Sequence, residues 1–217
     1  MLDFEVQRFT RKCCVTDAIL QPGDEFYSAL ISEGAHVLRR DYAAPAWSGV
    51  TPPSVPDVEV IDQDGLAHRF YGDLVKGNTV VINFIYTTCQ SSCPAATGLL
   101  SGVYHRLRAA ERSVTLLSVT IDPVHDRAAR LKAYAAQFGA GKGWYFLTGA
   151  SADVARLLAA LQVSVSNKAD HPAIVVIGND ATGTWTRLYG EVSVPMVMDS
   201  LEAAAGWPAP ISSSVSQ

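Results

Sequence analysis

At 217 residues the chain has room for one good-sized domain, or for one domain with a small appendage. Hydrophobic residues make up 48% and charged residues 18%, which excludes an intrinsically disordered chain, because disorder needs low hydrophobicity and high net charge. A formal charge of −4, from 17 Lys and Arg against 21 Asp and Glu, comes with no basic run, so no nucleic acid is expected as a partner. Four cysteines are too few for a disulfide-built scaffold.

The first residues, Met1 to Glu5, carry acid early, and no apolar h-region with a small-residue cleavage site follows, so no export signal is expected there. The head, residues 1–50, contains two short β-prone runs, Glu25 to Ile31 and His36 to Tyr42, joined around Glu33 and Gly34. They predict a hairpin within a small β-rich unit. Residues 43–56, with Pro45, Pro52, Pro53 and Pro56, hold neither a helix nor a central strand and read as a linker.

The body is expected over residues 55–206. Asp57 to Ile61 alternates polar and apolar residues, and Asp64-Gly65 turns the chain into Ala67 to Phe70, a second hairpin. Thr79 to Tyr86 is apolar and β-branched, as a strand buried on both faces should be, and is far shorter than the roughly 20 residues a membrane-spanning helix needs. A helix follows from Pro94 to Glu111, with Leu99, Leu100, Val103 and Leu107 at helical spacing. Val114 to Ile121 is the next strand, expected to lie parallel beside the first, and Asp126 to Phe138 the next helix. Trp144 to Leu147 is a strand and Ala152 to Leu161 a helix. Strands Ala173 to Ile177 and Thr184 to Leu188 flank a turn at Gly178, Asn179 and Asp180, and Pro195 to Ala205 closes the body as a helix. Residues 207–217 form a Ser-rich tail. The order predicts an α/β thioredoxin-like fold with an added N-terminal β-hairpin.

Cys89 and Cys93 follow the buried strand, with Pro94 next to them in the first turn of the helix. Four-residue spacing on a helix puts both sulfurs on one face, with Cα atoms ~6 Å apart, within disulfide range. The amide donors and positive dipole of a helix start favour thiolate. Such a pair binds a soft metal or exchanges electrons as a disulfide; the plainer alternative is two buried core cysteines. Zinc needs four ligands, which the body does not supply, whereas two thiolates with one imidazole suit copper, the sulfurs favouring Cu(I) and the imidazole Cu(II).

Five histidines are candidates: His36, His68, His105, His125 and His171. In a thioredoxin-like sheet the turn before the strand at Ala173 faces the cysteine-bearing helix start, usually through a cis-proline. Pro172 is the residue expected to be cis there, and His171 then lands beside the cysteines. Cys13 and Cys14 are adjacent; on an extended segment neighbouring side chains point opposite ways, so they are expected to be a structural or reduced pair and not a metal site.

Phe84 to Pro94, reading FIYTTCQSSCP, closely resembles the copper-binding signature of Sco/SenC proteins, copper chaperones of cytochrome c oxidase assembly. Ser118 to Asp126 resembles that family's Asp-Pro loop, and Gly143 to Gly149 its third block. Asp170-His171 before a strand is similar to its ligand-histidine block. The resemblance covers about residues 55–206. It implies Cys89, Cys93 and His171 as ligands of copper, Cu(I) or Cu(II), with Asp122 behind them. Asp122 reads equally as a cap or turn residue of the next helix. Asp170 is expected to be a surface acid, with orientation of His171 as the alternative.

The function this implies is a metallochaperone and not an enzyme. It would deliver copper to, or mature, the dinuclear copper site of cytochrome c oxidase, with the copper-site subunit or another copper or thiol protein as partner. Any membrane contact would come through a partner. The family works outside the cytoplasm and is usually anchored, features not recognised in this sequence, and the head lies outside the family pattern. The alternative is a thiol–disulfide oxidoreductase acting on partner cysteines through Cys89 and Cys93, against which the three intervening residues count, since thioredoxins use Cys-X-X-Cys.

Overall fold

The computed structural model describes residues 11–13, 17–21, 26–33, 36–43, 55–89, 92–161, 163, 174–190 and 192–207; within 26–43 it describes the backbone only. The chain divides into two compact units, Met1–Thr51 and Pro52–Gln217.

In the first unit, β1 (Phe26–Glu33) and β2 (His36–Ala43) pair antiparallel, from Phe26 opposite Ala43 to Glu33 opposite His36. This is the hairpin expected from the two β-prone runs. A short bridge joins Lys12 and Ile19 upstream.

The second unit begins with a small hairpin, β3 (Glu59–Ile61) and β4 (Ala67–Arg69). Its turn depends on Gly65, whose φ of 84° lies in the left-handed region that costs glycine nothing. Ile61 then bridges Thr148 at the far end of the main sheet, with amide–carbonyl bonds of 2.7 and 2.9 Å in both directions.

Phe70–Val75 forms a wide π-type turn that the sequence reading did not contain. A six-residue element is too short for helical periodicity to show. It is held by the Asp57 carboxylate, which accepts from the Gly72 amide at 2.9 Å, and by Asp73, which accepts from the Arg69 amide at 2.6 Å. Phe70, Leu74 and Val75 are thereby pressed into the core.

The main sheet has five strands: β5 (Thr79–Ile85), β6 (Thr115–Thr120), β7 (Trp144–Leu147), β8 (Ile174–Asn179) and β9 (Thr184–Tyr189). Their order is β7-β6-β5-β8-β9. β5, β6 and β7 are parallel neighbours, while β8 and β9 run antiparallel. Parallel neighbours need long crossovers, supplied here by α1 (Ser92–Ala109) and α2 (Ala128–Gln137). β5 is buried along six of its seven residues because both faces are covered. One face carries α1, α2 and a closing helix α4 (Val194–Ala205), through Leu100, Leu131 and Leu201. The other carries α3 (Ser151–Ala160), the β3–β4 hairpin and the π-type turn, through Leu157, Val60 and Phe70.

Local signals agree with these elements at the ends of α4. The Ser193 hydroxyl accepts from the Met196 amide at 3.4 Å, Pro195 occupies the first turn, and Gly206 closes the helix at φ 64°. One expectation fails. Gly178 and Asn179 are not a turn: β8 runs through Asn179, which pairs with Thr184, and the reversal falls on residues 180–183. Gly178 is glycine because the Trp185 ring lies against it; a Cβ there would come within 2.4 Å of the indole. No helix among the described residues is long and apolar enough to cross a membrane.

Candidate metal and thiol site

β5 delivers the chain into a turn in which the Cys89 amide donates to the Tyr86 carbonyl at 3.1 Å. Helix α1 starts only at Ser92. Cys89 therefore precedes the helix, whereas the spacing argument had placed it on the first helical turn beside Cys93. The sulfurs still converge, by a different route. The Cys93 amide, an unsatisfied donor of the first helical turn, donates to the Cys89 sulfur at 3.4 Å. Cys89 Sγ thus does what a capping oxygen does at other helix starts. Both cysteines are thiols and not a disulfide, and both are buried, Cys89 with 7% and Cys93 with 3% of their surface exposed.

Two tyrosines feel the charge of the pair. The Tyr86 hydroxyl hydrogen-bonds Cys89, and this bond, with burial and the negative charge of both sulfurs, pushes the phenol up to about 12. Tyr134, from α2, is also pushed up to about 12, chiefly by burial, with the charge of Cys93, Cys89 and Asp126 adding to it. Its hydroxyl meets Thr97 Oγ1 at 3.1 Å, a bond that works in the opposite direction. Thr97 in turn donates to the Cys93 carbonyl at 2.8 Å.

The loop after β6 is tied to the cysteine turn. Asp126, with 1% of its surface exposed, accepts from the Thr87 hydroxyl at 2.5 Å, the Thr87 amide at 3.1 Å and the Thr120 hydroxyl at 2.6 Å. Thr120 Oγ1 also receives the Asp122 amide at 2.9 Å. Asp122 is buried, and its carboxylate oxygens lie 3.0 and 3.1 Å from Nδ1 of His125, whose ring is 63% exposed. It does not cap α2, whose first flanking residue is Arg127; its carbonyl instead accepts the His125 and Asp126 amides and makes the loop's turn.

His171, Asp170 and Pro172 lie outside the described residues, as do Cys14 and the His36 side chain. Among the described residues no three His, Cys, Asp or Glu gather closely enough to hold a metal ion. His68 is engaged elsewhere, 2.8 Å from Asp62 in the β3–β4 hairpin, and His105 is exposed on α1. Cys13 is buried in the first unit, where its amide donates to the Ala18 carbonyl.

Sequence reasoning missed Tyr86, Thr87, Thr97, Thr120, Asp126 and Tyr134 as parts of this neighbourhood, and held His125 only as one of five candidate histidines. Tyr86, Thr87, Thr120 and Asp126 lie within the motifs named above but carry no chemical signal of their own. Thr97 and Tyr134 sit in helices, and only packing brings them to the cysteines.

The model of the SCO1/SenC family matches residues 53–202. The chain belongs to this family. It is 33% identical over 78 residues to a SCO1 protein homolog of Bacillus subtilis, a stretch covering 36% of this chain and 40% of that protein. Over 159 residues it is 25% identical to a Stutzerimonas stutzeri protein provisionally named as copper-binding, covering 69% of this chain and 74% of that one. Among solved structures it resembles BsSco, a member of the Sco family of cytochrome c oxidase assembly proteins in which a disulfide switch was identified. The TM-score is 0.61 at 23% identity, over 71% of this chain and 94% of that one. Yeast Sco1 with copper bound superposes with a TM-score of 0.58 at 21% identity, over 70% and 92% of the two chains. The body accordingly has the expected α/β thioredoxin-like fold, with the β3–β4 hairpin added in front.

Proposed function

We propose that this protein is a copper metallochaperone. It holds one copper ion as cargo through Cys89, Cys93 and His171 and passes it to a partner, the copper-site subunit of cytochrome c oxidase. One observation carries the reading: two thiols converge at a helix start, joined by the 3.4 Å contact from the Cys93 amide to the Cys89 sulfur. Two sulfur donors in a largely dry site suit a soft ion, and membership of the SCO1/SenC family supports copper as that ion. The donor set fits with His171 as third ligand, since three ligands hold the ion while leaving it open to a partner's thiolates. Both cysteines must be reduced to bind, so loading follows the thiol redox state. Asp122 would act from behind the ligands, with its carboxylate held against His125.

The test is anaerobic copper titration of the reduced chain, with stoichiometry read by elemental analysis. One copper per chain is expected, and none after Cys89 and Cys93 are replaced by serine. Copper retained by that double variant would overturn the proposal. A reduced protein that binds none, yet reduces disulfides of a partner catalytically, would establish the oxidoreductase alternative.

A further inference from the structure

Asp126 is a buried carboxylate that accepts from two neutral residues, Thr87 and Thr120, and no cation pairs with it among the described residues. A buried charge so placed is costly unless its hydrogen bonds are complete. Three bonds from two strand ends complete it here. Two of them come from Thr87, which stands two residues before Cys89 in the turn that presents the sulfur to the Cys93 amide. The third comes from Thr120, whose oxygen simultaneously accepts the Asp122 amide. The ends of β5 and β6 and the loop carrying Asp122 and His125 therefore meet at one carboxylate.

We propose that Asp126 is the positioning residue of the thiol site: through Thr87 it fixes the turn that holds Cys89 over the start of α1, and so pre-organises the sulfur pair for its cargo. Asp126 acts through Thr87, whose amide and hydroxyl it holds two residues before Cys89. The inference deepens the copper reading and rests on it where metal binding is concerned. The geometry of the Cys89 turn can be read without any metal. Charge-assisted bonds of this kind are the stronger class, and removing one from a buried site leaves the remaining partner unsatisfied.

The experiment compares Thr87→Val, Thr87→Ser and Asp126→Asn in the full chain, with Val80→Ala, buried at the opposite end of β5, as a core variant that lowers stability away from the turn. Two quantities are read: the rate at which iodoacetamide alkylates Cys89 in the reduced, metal-free protein, resolved by peptide mass spectrometry, and the Cu(II)–thiolate charge-transfer band after loading. Thr87→Val and Asp126→Asn are expected to raise Cys89 alkylation about tenfold, the scale of one lost charge-assisted bond, and to shift or weaken the band. Thr87→Ser, which keeps the hydroxyl, should restore both, and Val80→Ala should change neither. Thr87 is half-exposed, so its variants keep the test open even where Asp126→Asn does not fold. Wild-type alkylation and an unchanged band in Thr87→Val would overturn the inference. Should the parent protein bind no copper, the copper reading fails alone, and the alkylation rates still decide the role of Asp126.

Discussion

The Cys93 amide points at the sulfur of Cys89 from 3.4 Å, so one thiol caps the helix that carries the other. The second sulfur rides on the first turn of α1, and the first closes that turn from outside. This contact brings the two donors together before any third ligand is considered.

Losing either donor should be decisive for the soft ion. Cys89→Ser and Cys93→Ser are each expected to abolish tight Cu(I) binding, because one thiolate and one imidazole cannot enclose it as two thiolates do. His171→Ala should weaken Cu(II) most, since that ion gains more from nitrogen. Competition with chelators specific for each oxidation state measures both. Oxidation of Cys89 and Cys93 to a disulfide should release the metal, whereas Cys13→Ser with Cys14→Ser should leave the stoichiometry unchanged.

The two tyrosines at the site should ionise late. Their folded values, about 12 against an ordinary 10, favour the neutral phenol in the folded state. The stability this represents is complete below pH 10 and falls as pH rises from 10 through 12. Absorbance titration of tyrosinate should show a high-pH class among the eight tyrosines. Tyr86→Phe and Tyr134→Phe should each shrink that class, and a titration unchanged in both would contradict the assignment.

Asn83 lies in β5 on the face covered by α1, fully enclosed, and neither polar atom of its side chain has a hydrogen-bond partner among the described residues. Burying an amide this way costs about 1–3 kcal/mol. Asn83→Leu, of similar size, should therefore raise stability by roughly that amount in a denaturant titration. A loss would mean that the amide satisfies a group or a water in the native state.

Gly178→Ala should destabilise the edge of the sheet. The new methyl would fall 2.4 to 2.7 Å from three carbons of the Trp185 ring, so the indole must move or β9 must shift. Overpacking of this kind costs about 1–3 kcal/mol. Thermal unfolding followed by tryptophan fluorescence reports both the loss and the displaced ring.

Helices and strands were legible wherever a periodic apolar pattern ran long enough. Thr79 to Tyr86 and Val114 to Ile121 read as buried parallel strands, and β5 and β6 pair in that sense, with Val80 opposite Thr115. The π-type turn at Phe70–Val75 escaped because six residues carry no period, and Gly178 misled because a glycine required by a neighbouring indole looks the same in sequence as one required by a turn. The cysteines were legible as a pair, since both their spacing and the Pro94 after them are local facts. Cys89 was nevertheless set one element too far, because a residue that caps a helix and a residue within it share the same spacing.

Which side chains bring sulfur, which segments make strands or helices, and which family's motifs follow one another are local facts of the chain. Only the folded chain shows that Asp126 binds Thr87 across 39 residues, that Tyr134 meets Thr97 beside the cysteine-bearing turn, and that His68 turns to Asp62. The reason is physical: spacing along a chain fixes contacts within one turn or one strand pair. A buried carboxylate finds its donors only once the sheet has brought the ends of β5 and β6 side by side.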